Sequence, residues 1–349
     1  MARVWIDVLT PKQAKLFASM ARQSSGLIDP VFTTRRYEYT VAVLKRFGYQ
    51  PMVFGSYGTD LRSKLVEEFR RGLEVLEKVP SFDFAMSYPN PLAARVSFGL
   101  GKPYIAFTDS PHSVAVSRLS LPLATAVVFS SCIPLSEISK YVYPGTHLEM
   151  YRGVDEVQWL KNFEPSDQVL KELDLEPRTY VVARPPEHRA AYYSHGTERL
   201  EIFRSILVEI LKRGYTVVYL PRYEDDELPK ELQRYGKVVV PSTEQGVDGS
   251  NLVYHALAVI TGGGSMAREA ALLGTLGITL YPNELYVDRC IENWGLPHRR
   301  VHDVSTCLQA IEEFARDPDR YRATARSLRQ SLETPLDGLK RVLHELRMR

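Results

Sequence analysis

Short apolar runs rich in Val, Ile, Phe and Tyr alternate with longer amphipathic stretches from one end of the chain to the other. That alternation is the pattern of parallel strands covered by helices, so the expected fold class is α/β. In the first half it predicts strands at residues 4–9, 30–33, 52–54, 82–87, 104–108, 126–129 and 147–150. In the second half it predicts strands at 180–183, 216–220, 238–240, 259–261, 278–280 and 300–302. Helical spacing fills the gaps and is clearest over residues 60–78, where Leu61, Leu65, Phe69, Leu73 and Leu76 follow Asp60, a good N-cap. The alternation lapses between residues 151 and 177, a stretch of mixed charge containing Pro165 and Pro177, which reads as an interdomain linker.

A chain of 349 residues exceeds the ~100–200 residues that one core usually supports. Two doubly wound, Rossmann-like domains are therefore expected, at residues 1–160 and 161–330, with a C-terminal helix at 331–349. Two such sheets would leave a ligand cleft facing the carboxyl ends of their strands. Composition narrows the partners. Hydrophobic residues make up 44%, which excludes a disordered chain, and a formal net charge of +2 argues against a nucleic-acid or membrane-surface protein. Three widely spaced cysteines, an odd number, support neither a disulfide framework nor a C-x-x-C site, and reduced thiols are the expectation. No apolar stretch approaches the ~20 residues of a membrane span and no signal peptide is recognisable, so a cytoplasmic protein is expected. Few Asn and Gln and a preference for Arg over Lys suit a heat-adapted source.

The strongest chemical signal is the stretch from Val259 to Gly274, in which a buried strand runs into Gly262, Gly263, Gly264 and Ser265 and then a helix carrying Glu269. Consecutive glycines allow close backbone approach, and a helix N-terminus attracts phosphate. Ser265 and Glu269 share a helical face at i, i+4, from which Glu269 would accept hydrogen bonds from a ribose diol. The same residues also suit a tight strand-to-helix turn in which Ser265 is only an N-cap and Glu269 a solvated side chain. The loop has neither the G-x-G-x-x-G order of a dinucleotide site nor the Lys of a P-loop.

With Trp5-Ile6-Asp7, Thr10-Pro11-Lys12-Gln13, Thr108-Asp109-Ser110-Pro111-His112, Arg184-Pro185-Pro186-Glu187 and Leu220-Pro221-Arg222, that loop carries a resemblance. It is similar to the nucleotide-sugar loop of GT-B enzymes, the group of UDP-N-acetylglucosamine 2-epimerase and the glycosyltransferase that makes lipid II. Over nearly its full length the chain resembles domain-of-unknown-function family 354, a largely archaeal family of that fold. The resemblance implies a GT-B architecture, a nucleoside-diphosphate sugar (UDP-linked) as ligand, an N-terminal acceptor-side domain, and a terminal helix that crosses back to it.

Within that frame Arg184 ends the first strand of the second domain in a loop stiffened by two prolines, which would hold it for bidentate contact with a diphosphate. Glu187, His188 and Arg189 follow, and the whole loop reads equally as ordinary charged surface. Arg222 after the next strand is a second diphosphate or base contact. The acidic run from Glu224 to Glu227 resembles a metal site in charge only, so no metal is assigned. Pro241, Ser242, Thr243, Val247 and Asp248 would border a base pocket. In the first domain Asp109 and His112 form a base and its orienter, or simply a helix start, and Lys12 and Asp7 are further candidates.

The favoured function is a metal-independent glycosyltransferase without a cofactor, using a nucleotide sugar and an acceptor of unknown identity. An epimerase or hydrolase is the first alternative, weakened because the loop from Ser87 to Pro91 offers no acid where epimerases carry an Asp. A non-catalytic GT-B-like binding protein is the second. Nothing in the sequence sets the oligomeric state.

Overall fold

The computed structural model describes residues 1–37, 39–187, 196–223, 225–242 and 248–346, apart from the side chains of 196 and 197. His188, Arg189, Glu224, Thr243 and Val247 lie outside the described residues. The chain divides into two compact units, one of residues 1–159 with 332–349 and the other of residues 160–331.

In the first unit the strands are β1 (Ala2–Val8), β2 (Ile28–Arg36), β3 (Met52–Ser56), β4 (Phe84–Ser87), β5 (Tyr104–Thr108), β6 (Ala126–Ser130) and β7 (His147–Tyr151). They form one parallel sheet in the order β3-β2-β1-β4-β5-β6-β7. The second unit holds β8 (Tyr180–Arg184), β9 (Thr216–Tyr219), β10 (Val238–Val239), β11 (Ala258–Thr261), β12 (Leu276–Thr279) and β13 (His298–Arg300). These are again all parallel, in the order β10-β9-β8-β11-β12-β13. In each sheet the order reverses once, between β1 and β4 and between β8 and β11. At such a reversal the loops after the two neighbouring strands diverge and open a crevice at their carboxyl ends.

Helices cover the sheets for reasons visible in their caps. Thr10 accepts the Gln13 amide at the start of Pro11–Gln23, and Asp60 accepts the amides of Arg62 and Ser63 at the start of Leu61–Lys78. In the latter helix the periodic stripe marks the outside. Leu61 is 71% and Phe69 66% exposed, and Leu65, Leu73 and Leu76 are exposed with them, whereas the buried residues are Arg71, Gly72 and Val75. At Gly72 the helix packs closely, since a Cβ there would lie 3.0 Å from Leu92 Cδ1 and the leucine would have to give way.

The stretch expected as a linker is mostly built into the units. Tyr151 closes β7, and Val154, Asp155, Glu156 and Val157 are buried behind it. The chain returns to the first unit after Ser331. Glu333 donates its amide to the Arg152 carbonyl at 2.9 Å, and the helix Pro335–Glu345 buries Leu336, Leu339, Val342 and Leu343 against β6 and β7. At ~1.5–3 kcal/mol for each fully buried aliphatic side chain, this helix is a substantial part of the first core.

In the second unit Cys307 is a buried free thiol whose pKa is pushed up to about 12, first by burial and then by the Asp303 carboxylate. It should therefore stay a thiol at pH 8 and resist alkylation until that unit unfolds. Mass spectrometry after a timed iodoacetamide pulse reads this directly, and rapid native labelling at Cys307 would contradict it. Among the described residues no helix is long and apolar enough to cross a membrane.

Candidate functional site

Two clusters sit at the reversal points, one in each unit. In the second, β8 and β11 lie side by side with Arg184 opposite Thr261, and Gly262 donates its amide to the Arg184 carbonyl at 3.2 Å. Beyond the strands the two loops press together. A Cβ on Gly262 would collide with the Pro186 backbone, and one on Gly264 would collide with the Arg268 guanidinium. Close packing, not a left-handed backbone, thus demands glycine at these two positions, since neither is among the positive-φ residues. Gly263 differs, because nothing lies within 4 Å of where its Cβ would be. Its amide is donated to Thr261 Oγ1 at 3.2 Å, and its carbonyl accepts from Thr279 Oγ1 at 3.1 Å, so the turn is held from both strands.

The helix Ser265–Leu272 begins one residue earlier than a Ser265 cap would require. Gly264 is the N-cap, already helical at φ −84° and ψ −44°, and no side chain caps the helix. Ser265 instead accepts a hydrogen bond from Arg268 Nη2 at 3.2 Å. First-turn amides have no acceptor within their own helix, which leaves this end electropositive. Arg268 lies beneath the loop, 2% exposed, and pairs with Asp288 at 2.8 Å. Sequence reasoning missed both residues; the only trace was an Arg three positions after Ser265. Glu269 is not a solvated helix residue, being 7% exposed and accepting from Ser250 Oγ at 2.7 Å.

Arg184 is buried at the end of β8. Arg222 Nε donates to the Pro185 carbonyl at 3.1 Å and its guanidinium lies 3.9 Å from the Glu187 carboxylate, which also accepts from the Tyr223 hydroxyl. Glu187 therefore orients Arg222. In the acidic run Asp226 accepts from Tyr219 at 2.7 Å and from the Leu228 amide at 3.2 Å. Asp248, expected near a base pocket, caps the helix Gly249–His255 by accepting the Asn251 amide. Among the described residues no group of three or more His, Cys, Asp or Glu side chains is arranged to hold a metal ion.

The first unit builds its cluster on Lys12, at the start of the helix after β1. Lys12 Nζ donates to Asp109 Oδ2 at 2.5 Å and to Asp155 Oδ2 at 2.7 Å, and lies 5.0 Å from the centre of the Tyr88 ring. Asp155 also accepts from the Tyr151 hydroxyl at 2.5 Å and from the Tyr88 hydroxyl. Asp109 Oδ1 accepts from Ser110 Oγ at 2.7 Å. The Asp109 carboxylate is held by Lys12 and Ser110, and His112 is exposed on the turn beyond. Asp155, Tyr88 and Tyr151 were not anticipated. Asp155 supplies an acid beside the loop from Ser87 to Pro91, which has none of its own. Asp7 is structural, fully buried and accepting from Thr33 at 2.6 Å, Arg71 at 2.7 Å and Asn90 at 2.6 Å.

Comparison with known proteins gives a consistent result. An uncharacterised protein of Methanocaldococcus jannaschii is 27% identical over 323 residues, covering 89% of this chain and 91% of that protein. The S. aureus MnaA–UDP co-structure superposes with a TM-score of 0.71 at 14% identity, covering 100% of this chain and 98% of the other. The M. jannaschii UDP-GlcNAc 2-epimerase in complex with UDP-GlcNAc and UDP gives 0.70 at 14% identity, covering 99% of each chain. The two Rossmann-like units are those of the GT-B fold. With a family profile matching residues 2–337, the chain belongs to the family described as Protein of unknown function (DUF354).

Proposed function

We propose that the protein is a GT-B enzyme acting on a nucleoside-diphosphate sugar, UDP-linked by analogy with the bound nucleotides of its structural neighbours. The observation that carries this reading is the Gly262–Ser265 turn. It sits at the sheet reversal beside Arg184, with no side-chain cap on the helix N-terminus and the buried carboxylate of Glu269 one turn away. Backbone amides and the guanidinium groups of Arg184 and Arg222 meet a diphosphate, and Glu269 takes the ribose hydroxyls. Neither cofactor nor metal is assigned a part.

The reaction that fits is glycosyl transfer. An acceptor oxygen attacks the anomeric carbon, the bond from that carbon to the diphosphate oxygen breaks with its electron pair leaving on the diphosphate, and the acceptor proton passes to Asp109. Lys12 holds Asp109 and Asp155 in place. One observation favours a second reading, epimerisation: two carboxylates flank a single lysine, and removing and restoring a proton at a sugar carbon needs two such groups.

Incubation with UDP-sugars followed by NMR separates the two. Free UDP formed only with an acceptor supports transfer, and interconversion of sugar isomers supports epimerisation. Glu269→Gln is expected to raise the Kd for the UDP-sugar about tenfold or more, the value of a lost charged hydrogen bond. Unchanged affinity by calorimetry would remove Glu269 from the site.

A further inference from the structure

At the carboxyl end of β2, away from Lys12, lies a cation that the proposed reaction does not use. The Arg35 guanidinium lies beside a pair of tyrosines in mutual contact, 5.2 Å from the centre of the Tyr37 ring and 4.5 Å from that of Tyr57, with the two ring centres 4.7 Å apart. Lys64 Nζ lies 4.4 Å from the centre of the Tyr57 ring. Arg35 Nε is buried without a hydrogen-bond partner, and the Nε of neighbouring Arg71 is in the same condition. Among the described residues the Arg35 guanidinium makes ring contacts but no hydrogen bond and no ion pair.

The acids nearby do not resolve this. Asp7 already accepts from Thr33, Arg71 and Asn90. Glu68 is half-buried, and burial raises its pKa against the pull of Arg71 and Arg35. Asp7, Glu67 and Glu68 are the described carboxylates beside this cluster, Glu67 being already engaged by Ser56 and Arg70, and burial together with Arg71 depresses the pKa of Arg35. A desolvated guanidinium without an acceptor is costly, and contact with aromatic rings leaves its hydrogen-bond donors unused.

We propose that Arg35, flanked by Tyr37, Tyr57, Lys64 and Arg71, is a binding site for the phosphate group of a small phosphorylated compound. Arg35 is the donor, the two rings line one side of it, and Lys64 and Arg71 stand near it as further cations for a phosphate dianion. The site belongs to the first unit alone and stands independently of the nucleotide-sugar reading.

The test is a titration of the full chain with inorganic phosphate at constant ionic strength, following 13C-labelled tyrosine ring signals assigned through Tyr37→Phe and Tyr57→Phe. Saturable shifts of the Tyr37 and Tyr57 rings are expected. Arg35→Gln should weaken that binding about tenfold or more, and Arg35→Lys, which keeps the charge but loses the guanidinium, should also weaken it if the Gln variant does not fold. Glu269→Gln should leave the two ring responses untouched, so the nucleotide site can fail without affecting this result. Absence of shifts, equal affinity in the Arg35 variants, or an equal response to acetate would overturn the proposal.

Discussion

Asp288→Ala is expected to destabilise the second unit by about 3–5 kcal/mol, the usual cost of removing one partner from a buried ion pair. Asp288 and Arg268 are 4% and 2% exposed and lie 2.8 Å apart, and Asp288 Oδ2 has no second partner among the described residues. With the carboxylate gone, the buried guanidinium beneath Gly264 keeps Ser265 Oγ at 3.2 Å but no longer has the Asp288 charge. In a unit of this size each kcal/mol moves Tm by roughly 2–4 °C, so the transition should fall by about 6–20 °C. The loop above loses its brace, and UDP-sugar affinity should fall too. The double variant Arg268→Met with Asp288→Leu removes both charges and should recover most of the loss. Thermal and urea unfolding measure both proteins. A loss below about 1 kcal/mol for Asp288→Ala would mean that Arg268 finds another acceptor.

Asp109→Asn carries the second large effect, a fall in kcat of about 10²–10⁴ with little change in nucleotide KM, as expected when a general base is removed. The amide keeps the shape of the side chain, and Lys12 keeps its contact with Asp155 at 2.7 Å, so the fold around it should survive. Because the nucleotide contacts proposed here are in the second unit, a variant that lost binding and turnover together would point to structural damage instead. Steady-state kinetics on whichever UDP-sugar is turned over makes the distinction. Activity within a few-fold of the parent would move the base to Asp155 or elsewhere.

Much of the architecture was legible because parallel strands are buried on both faces and so appear as unbroken apolar runs. Residues 104–108 and 126–130 are examples, every one of them buried. The edges were less visible. β2 extends from Ile28 to Arg36, well past the run at 30–33, because pairing with β1 and β3 holds Thr33, Thr34 and Arg36 in the ladder whatever their polarity. Period located the helix Leu61–Lys78 but not its buried side, since Arg71 turns inward to meet Asp7, an attraction between residues 64 positions apart that no local window contains.

The sites divide in the same way. Gly262 to Ser265 and Arg184 were legible because a Gly run after a strand and an Arg before two prolines are local signals. Asp155 was hidden in a stretch that looked like a linker. Its meaning comes from Lys12, 143 positions away, and from the Tyr88 and Tyr151 hydroxyls. Arg268 and Asp288 were concealed for a similar reason, each being an ordinary charged residue on its own helix until the turn brings the helices together.

The first unit is assembled from both ends of the chain, and this bears on its biosynthesis. Residues 160–331, the whole of the second unit, are synthesised before the helix Pro335–Glu345 that covers β6 and β7. Until then Val128 and Tyr151, which line that face, have no cover from this helix. Gly338, whose closest neighbour would be Val128 Cγ1 at 2.8 Å from a Cβ, has not yet been made. The domain begun first is thus the one completed last, and a chain truncated after residue 331 should display a finished second unit attached to an open-faced, protease-sensitive first one.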